Sequence, residues 1–167
     1  MMNDILLDMD NCIFSYRAAG ILIHNGRVLL QKPINDDYAF PGGHVAFGEK
    51  GPETLIREFK EEVGFDIEVG CLEWVEENFF MWDGKPCHQI CLSYAVKMKD
   101  TAKIPFDGSF IGSEYVEDDA NAIYFYWIPL DKMKNIAVYP ANAAELLNKF
   151  GEGVKHLVYR EDGFLCG

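Results

Sequence analysis

The chain has 167 residues, a length that suits one compact domain, and its 49% hydrophobic and 14% aromatic content excludes a disordered chain. A net charge of -12 argues against the basic face of a nucleic-acid-polymer or membrane-surface binder. With so acidic a chain, an anionic ligand would need locally clustered basic groups or bound metal ions to reverse the field.

The five cysteines, Cys12, Cys71, Cys87, Cys91 and Cys166, form an odd set without a C-x-x-C pair. They read as small buried hydrophobes in a reducing compartment, not as a disulfide framework or zinc site. Cys87, His88 and Cys91 fall on an expected strand and read as packing. Asp4, Asp8 and Asp10 interrupt the apolar residues of the first segment, so it does not read as a signal peptide. No apolar run approaches the roughly 20 residues that span a bilayer. The expectation is a cytoplasmic protein with no membrane partner.

In chain order, residues 1–11 read as an N-terminal extension of a single domain covering 1–167. Cys12 to Ile23 is rich in β-formers, Asn25-Gly26 signals a hairpin, and Arg27 to Gln31 is the returning strand. Pro33 to Gly51 is loop-like around Pro41-Gly42-Gly43. A helix is predicted from Pro52 to Gly64, since proline suits a first turn and glycine a stop. Strands are expected at Phe65 to Val69, Leu72 to Phe80 and Gln89 to Met98, with Asp83-Gly84 turning the last pair. Thr101 to Asn121 reads as irregular, Ile123 to Ile128 as an aromatic strand, and Ala141 to Phe150 as a second helix. This order predicts an α/β fold with helices packed on a mixed sheet.

On a helical wheel with Leu55 at zero, Leu55, Phe59, Val63 and Ile56 fill an arc from about 0° to 100°, the predicted buried stripe. Glu61, Glu58 and Glu62 fall at about 240°, 300° and 340°, with Arg57 near 200°. Glu58 repels both Glu61 and Glu62, because residues three and four apart are neighbours on a helix. Glu61 and Glu62 also sit in the last turn, where the helix dipole disfavours them by roughly 0.3–1 kcal/mol each. A solvated acidic face would not need that conflict; a hard divalent cation would relieve it.

From Gly43 the chain reads GHVAFGEKGPETLIREFKEEVGF. This resembles the Nudix box, G-x5-E-x7-R-E-U-x-E-E-x-G-U with U apolar, and Gly43, Glu49, Arg57, Glu58, Phe59, Glu61, Glu62, Gly64 and Phe65 fill every specified position. The resemblance implies the family's α/β/α sandwich, a mixed β-sheet with a catalytic loop-helix-loop, the box spanning 43–65. It also implies Mg²⁺- or Mn²⁺-dependent hydrolysis of a nucleoside diphosphate linked to some group X. By the same resemblance Glu58, Glu61, Glu62 and Arg57 are catalytic. The metal set is Gly43, Glu49, Glu58, Glu61 and Glu62, one of the carboxylates orienting or deprotonating water. Glu49 is an auxiliary ligand or a partner of Arg57, and Arg57 is mainly a brace.

Outside the box, two features look like the MutT-type branch, whose members hydrolyse nucleoside triphosphates. Lys32 stands where that branch has a basic phosphate contact. Asn142, in Tyr139-Pro140-Ala141-Asn142, stands where it reads a purine, an amide being both donor and acceptor. An ordinary strand-end lysine and a helix N-cap are the structural alternatives. The expected substrate contacts are thus Lys32, Asn142 and Gly43. Glu114, Glu117, Asp118 and Asp119 are candidates for an extra site carboxylate or for a solvated loop. Phe79, Phe80 and Trp82 are expected in the core, with base stacking or dimer packing as alternatives. The leading expectation is a MutT-like pyrophosphohydrolase acting on a nucleotide-type small molecule. An ADP-ribose or nucleotide-sugar pyrophosphatase, often a homodimer, is the second, and a non-catalytic nucleotide-binding module the third.

Overall fold

The computed structural model describes residues 3–33, 36–101, 105–106, 108–113 and 122–164. Strand β1 (Leu6–Asp8) leads into β2 (Ile13–His24), and the Asn25-Gly26 turn returns the chain as β3 (Arg27–Pro33). Asn25 and Gly26 take φ of 47° and 72°, the left-handed pair that a two-residue hairpin needs to match strand twist. The loop around Pro41 contains two short strands, β4 (Tyr38–Ala39) and β5 (Gly42–His44). Helix α1 (Gly51–Glu58) follows and passes into one π turn (Phe59–Val63). Next come the hairpin of β6 (Ile67–Trp82) and β7 (Lys85–Met98), then β8 (Ser109–Ile111) and β9 (Ile123–Pro129). A 3₁₀ helix (Leu130–Asn135), β10 (Val138–Tyr139), α2 (Ala143–Asn148) and β11 (Lys155–Arg160) complete the described chain.

Several elements differ from expectation. The two strands predicted over Phe65 to Phe80 are one, since β6 continues through register shifts between Val69 and Trp74. Such bulges bend a strand without ending it. The segment expected to be irregular contains β8, paired with β9. The second helix is shorter than predicted, and β1 draws part of the N-terminal segment onto β2. No local pattern announced β11, which joins β6 in parallel.

β2 is the hinge of the architecture. It pairs with β7 in parallel and with β1 and β5 along its other edge, while its last residues pair with β3. Its residues also alternate between two cores. Ala18 and Leu22 join Leu55, Phe59 and Val63 of the Glu-rich helix on one side. Ala19 and Ile21 join Met133, Ala143 and Leu146 of the 3₁₀ helix and α2 on the other. A strand buried on both faces reads as the near-continuous apolar run seen here. Helices therefore cover the mixed sheet on both faces, the expected α/β/α sandwich. No helix among the described residues is long and apolar enough to cross a membrane.

Candidate active site

The Glu-rich helix is started by Glu53, whose carboxylate accepts the Lys50 backbone N–H at 2.9 Å, and by Pro52 in its first turn. Gly64, at φ 82°, stops it. The helix is not α throughout as predicted. After Glu58 the chain widens into the π turn, and the N–H groups of Gly64 and Phe65 both donate to the carbonyl of Phe59. The buried arc is also rotated relative to the predicted one. Gly51, Thr54, Leu55 and Phe59 are buried, which centres the arc slightly short of Leu55, near about 330° on the same wheel. Ile56, expected in the stripe, falls off its far edge and is 49% exposed. The rotation carries Glu58 into the buried side, its side chain only 12% exposed.

Arg57 is the hub of this helix. Its Nε and Nη2 donate to Oε1 and Oε2 of Glu49, each at 3.0 Å, a forked pair that a lysine could not make. Its Nη1 donates to Glu58 and reaches Glu61 Oε2 at 3.5 Å, and Nη2 donates to the His44 carbonyl at 3.4 Å. Glu49 also accepts from Thr54 Oγ1 at 2.8 Å and from the Ala46 N–H at 3.3 Å. Hydrogen bonding from Arg57 holds its carboxyl down at about 2. Burial pushes Glu58 the other way, above the usual carboxylate range, although Arg57 opposes the shift. At the helix end, Ser113 N donates to the Glu62 carbonyl at 2.7 Å and its hydroxyl to the Glu61 carbonyl. Carbonyls that a helix C-terminus leaves unpaired are thereby satisfied.

β5 joins this helix to a cavity. Successive strand residues face opposite sides. Gly43, opposite Ala18, faces the helix, and a Cβ there would lie 2.6 Å from Glu58 Oε2. His44, opposite Arg17, faces a cavity of about 440 Å³. The cavity floor is the sheet itself, and its registers align His44, Arg17, Cys91 and Glu76 across four strands. Ser15, Gln89 and Asn78 form the next row. Phe80, Trp82, Tyr139 and Pro140 supply the apolar walls, and His44 stacks on Trp82 at 6.0 Å with planes 5° apart. Arg17 donates to the Gly42 carbonyl at 2.9 Å and is the one Lys or Arg among the residues that line the cavity.

Of the predicted residues, the fold therefore gathers Gly43, Glu49, Arg57, Glu58 and Glu61 at one place, with Glu62 in the same π turn. Lys32 lies on β3 with its ammonium 4.5 Å from the ring centre of Tyr38, outside the cavity lining. Asn142 precedes α2, makes no side-chain cap, and lines a separate shallow cleft with Glu145, Lys149 and His156. Glu114, Glu117, Asp118, Asp119 and Cys166 lie outside the described residues. Phe80 and Trp82 belong to the cavity, whereas Phe79 stacks on His88 at 4.4 Å and packs on Phe164. Arg17, Glu76 and Ser113 were not singled out in the sequence. For Arg17 the available signal was a charged residue inside a largely apolar, β-forming run, whereas Glu76 stands among Glu73, Glu77 and Asn78 and had no such signal.

The oxygens of Gly43, Glu58, Glu61 and Glu62 suit a hard cation such as Mg²⁺ or Mn²⁺ in kind. Among the described residues no three Asp, Glu, His or Cys side chains form a ready metal cluster. Glu58 is turned onto Arg57 instead. An incomplete protein shell is normal for a cation that keeps places for water and substrate phosphate.

A family model for the NUDIX domain matches residues 15–150, and the chain belongs to the Nudix family. An RNA pyrophosphohydrolase of Nitratiruptor sp. is 34% identical over 91 residues, 48% of this chain and 56% of that protein. An 8-oxo-dGTP diphosphatase of Proteus vulgaris is 31% identical over 84 residues, 46% of this chain and 70% of that protein. In three of the curated relatives matched, the alignment spans from 36% to 70% of the relative's own length. In fold, the chain resembles the crystal structure of a MutT protein from Bacillus halodurans, with a TM-score of 0.60 at 15% identity, over 90% of this chain and 93% of that one.

Proposed function

We propose that this protein hydrolyses a phosphoanhydride bond in a nucleotide, and that its substrate is a nucleoside triphosphate cut by water into a nucleoside monophosphate and pyrophosphate. The observation that carries this is the two-sided role of β5. Gly43 on one side touches Glu58 of the carboxylate helix, and His44 on the other opens onto a cavity with aromatic walls. A nucleotide whose base occupies the cavity would place its phosphates over β5, beside Arg17, within reach of the carboxylates. The relatives named for 8-oxo-dGTP and RNA pyrophosphate chemistry support the same class.

The chain's own residues divide the work. Gly43, Glu58, Glu61 and Glu62 would hold a divalent cation, which when bound neutralises phosphate charge as a Lewis acid. Glu49 is held by Arg57, and so serves as the anchor of a brace that fixes Glu58. Glu62 orients the attacking water. The aromatic walls exclude bulk water from the nucleoside and position the phosphates for in-line attack.

A phosphate-release panel tests the reading, run with Mg²⁺ or Mn²⁺ and covering normal and oxidised nucleoside triphosphates, ADP-ribose, nucleotide sugars and dinucleoside polyphosphates. Pyrophosphate release from triphosphates is expected. Turnover confined to ADP-ribose or sugars would move the protein to that class. Binding without turnover of any of them would make it a binding module.

A further inference from the structure

Glu76 is a carboxyl only 3% exposed and, with Glu73 at 5%, one of two buried carboxyls on β6. The hydrolytic chemistry above makes no use of it. Ser93 Oγ donates to its Oε2 at 2.9 Å, and Cys91 lies beside it across the β6–β7 pair. Residues two apart on a strand share a face, so Trp74, Glu76, Asn78, Phe80 and Trp82 turn to the same side, and the last four line the cavity. Burying a carboxyl is costly unless partners compensate it, and the Ser93 hydroxyl with the weak Cys91 thiol donor satisfies only part of an ionised carboxylate. A ligand with N–H donors would complete the set.

The cavity floor is also polarised. Arg17 and Glu76 occupy one row with Cys91 between them, so their backbones are about 10 Å apart, two strand spacings. Arg17 lies on the strand next to β5 and the carboxylate helix, and Glu76 lies farther in. An anion therefore belongs at the Arg17 end and a donor-rich group at the Glu76 end. That span is comparable with the distance from a nucleotide's base to its first phosphate.

Among the common bases, the edge that offers two adjacent N–H donors is that of guanine, from N1 and the 2-amino group. Adenine and cytosine place a donor beside an acceptor, and uracil places one N–H between two carbonyls. An ionised carboxylate, which only accepts, matches the guanine edge and repels the acceptors of the others.

We propose that Glu76 is the base-reading residue of this cavity, accepting N–H donors from the 2-amino-6-oxopurine of a guanine-type nucleotide whose phosphates run past Arg17 to β5. This rests on the nucleotide reading above and adds the base. Asn78 and Gln89 flank the contact, and Phe80 and Trp82 offer ring faces for the purine.

Calorimetric titration of the whole protein with GMP, IMP and AMP, without metal, tests it. IMP lacks only the 2-amino group. The wild-type protein should bind GMP about tenfold more tightly than IMP or AMP, the scale of one good two-point contact to a base edge. Glu76→Gln, whose amide sets N–H against N–H, should keep a cooperative melt and bring GMP and IMP within about twofold. Equal binding of GMP and IMP by the wild-type protein overturns the proposal, whether or not the variant folds. So does an undiminished guanine preference in folded Glu76→Gln, or no binding of any monophosphate at millimolar concentration. Triphosphates hydrolysed without regard to base would remove Glu76's role and leave the hydrolase reading standing. Guanine-selective binding without hydrolysis in the panel would do the reverse.

Discussion

The carboxylate of Glu58 occupies the space that a side chain at Gly43 would need: a Cβ there would lie 2.6 Å from Oε2 and closer still to the rest of the group. Gly43 is not at a positive φ, so its backbone would accept alanine and only Glu58 resists it. Gly43→Ala is expected to leave the fold intact and displace Glu58. A shift of about 1 Å at a reacting centre lowers rates by about 10²-fold. Steady-state hydrolysis with a matched circular-dichroism melt measures both, and unchanged turnover would remove Glu58 from the site.

Arg57→Lys keeps the charge and loses the fork that grips Glu49. Loss of such an orienting contact typically lowers activity 10–100-fold, and that range is expected in kcat with the protein still folded. Arg57→Ala should do more, because it strands Glu49, whose side chain is 8% exposed, without its cation. Its melting temperature should drop by several degrees, at roughly 2–4 °C per kcal/mol for a chain of this size. A melting temperature of Arg57→Ala equal to that of the wild type would mean that the ion pair contributes nothing to stability.

Glu62→Gln removes the base proposed to orient water. Its turnover should fall by about 10²–10⁴-fold while binding of a nucleoside monophosphate is unaffected. Near-normal turnover would move that role to another carboxylate.

Burial raises the Glu76 carboxyl above its ordinary value of 4.5, against the opposing effects of Ser93, Cys91 and Arg17. The folded state thus holds this proton more tightly than the unfolded chain, and stability is lost as pH rises from 4.5 through the raised value. Glu76→Gln cannot ionise and should melt above the wild type at pH 7, the gap closing below pH 4.5. A pH series of melting temperatures reads this directly; a variant less stable than wild type at pH 7 would contradict it.

Burial also pushes the Cys87 thiol up to about 11 and the Cys91 thiol well above its usual range, whereas Cys71 is exposed. Iodoacetamide at pH 7.5 should label Cys71 first and leave Cys87 and Cys91 unmodified until the protein unfolds, since the thiolate is the reacting form. Peptide mass spectrometry checks the order, and early labelling of Cys91 would show the sheet opening.

Much of this molecule is local and was therefore readable. Asn25-Gly26 specifies its hairpin, Pro52 and Gly64 bound the Glu-rich helix, and the spacing of Glu49, Arg57, Glu58, Glu61 and Glu62 is a property of one short segment. The rest depends on register between strands far apart in the chain. Nothing near Arg17 says that it will share a row with Cys91 and Glu76, because that alignment exists only once β2 lies parallel to β7. Ile56 misled for a related reason: the wheel ranks hydrophobicity, while Gly51 and Thr54 are buried because Tyr94 and Glu49 pack and bond there. The π turn has no sequence signature at all.

That turn has a consequence for anyone who shortens or regularises the chain. Deleting Lys60 would let the segment close on ordinary α bonds and put Glu61 two residues and Glu62 three residues after Glu58, at about 200° and 300° around the helix axis from it. The result would be a more regular helix with Glu61 turned to the side nearly opposite Glu58. One surplus residue acts here as a shim, and it sets the aim of the site as surely as any of the glutamates do.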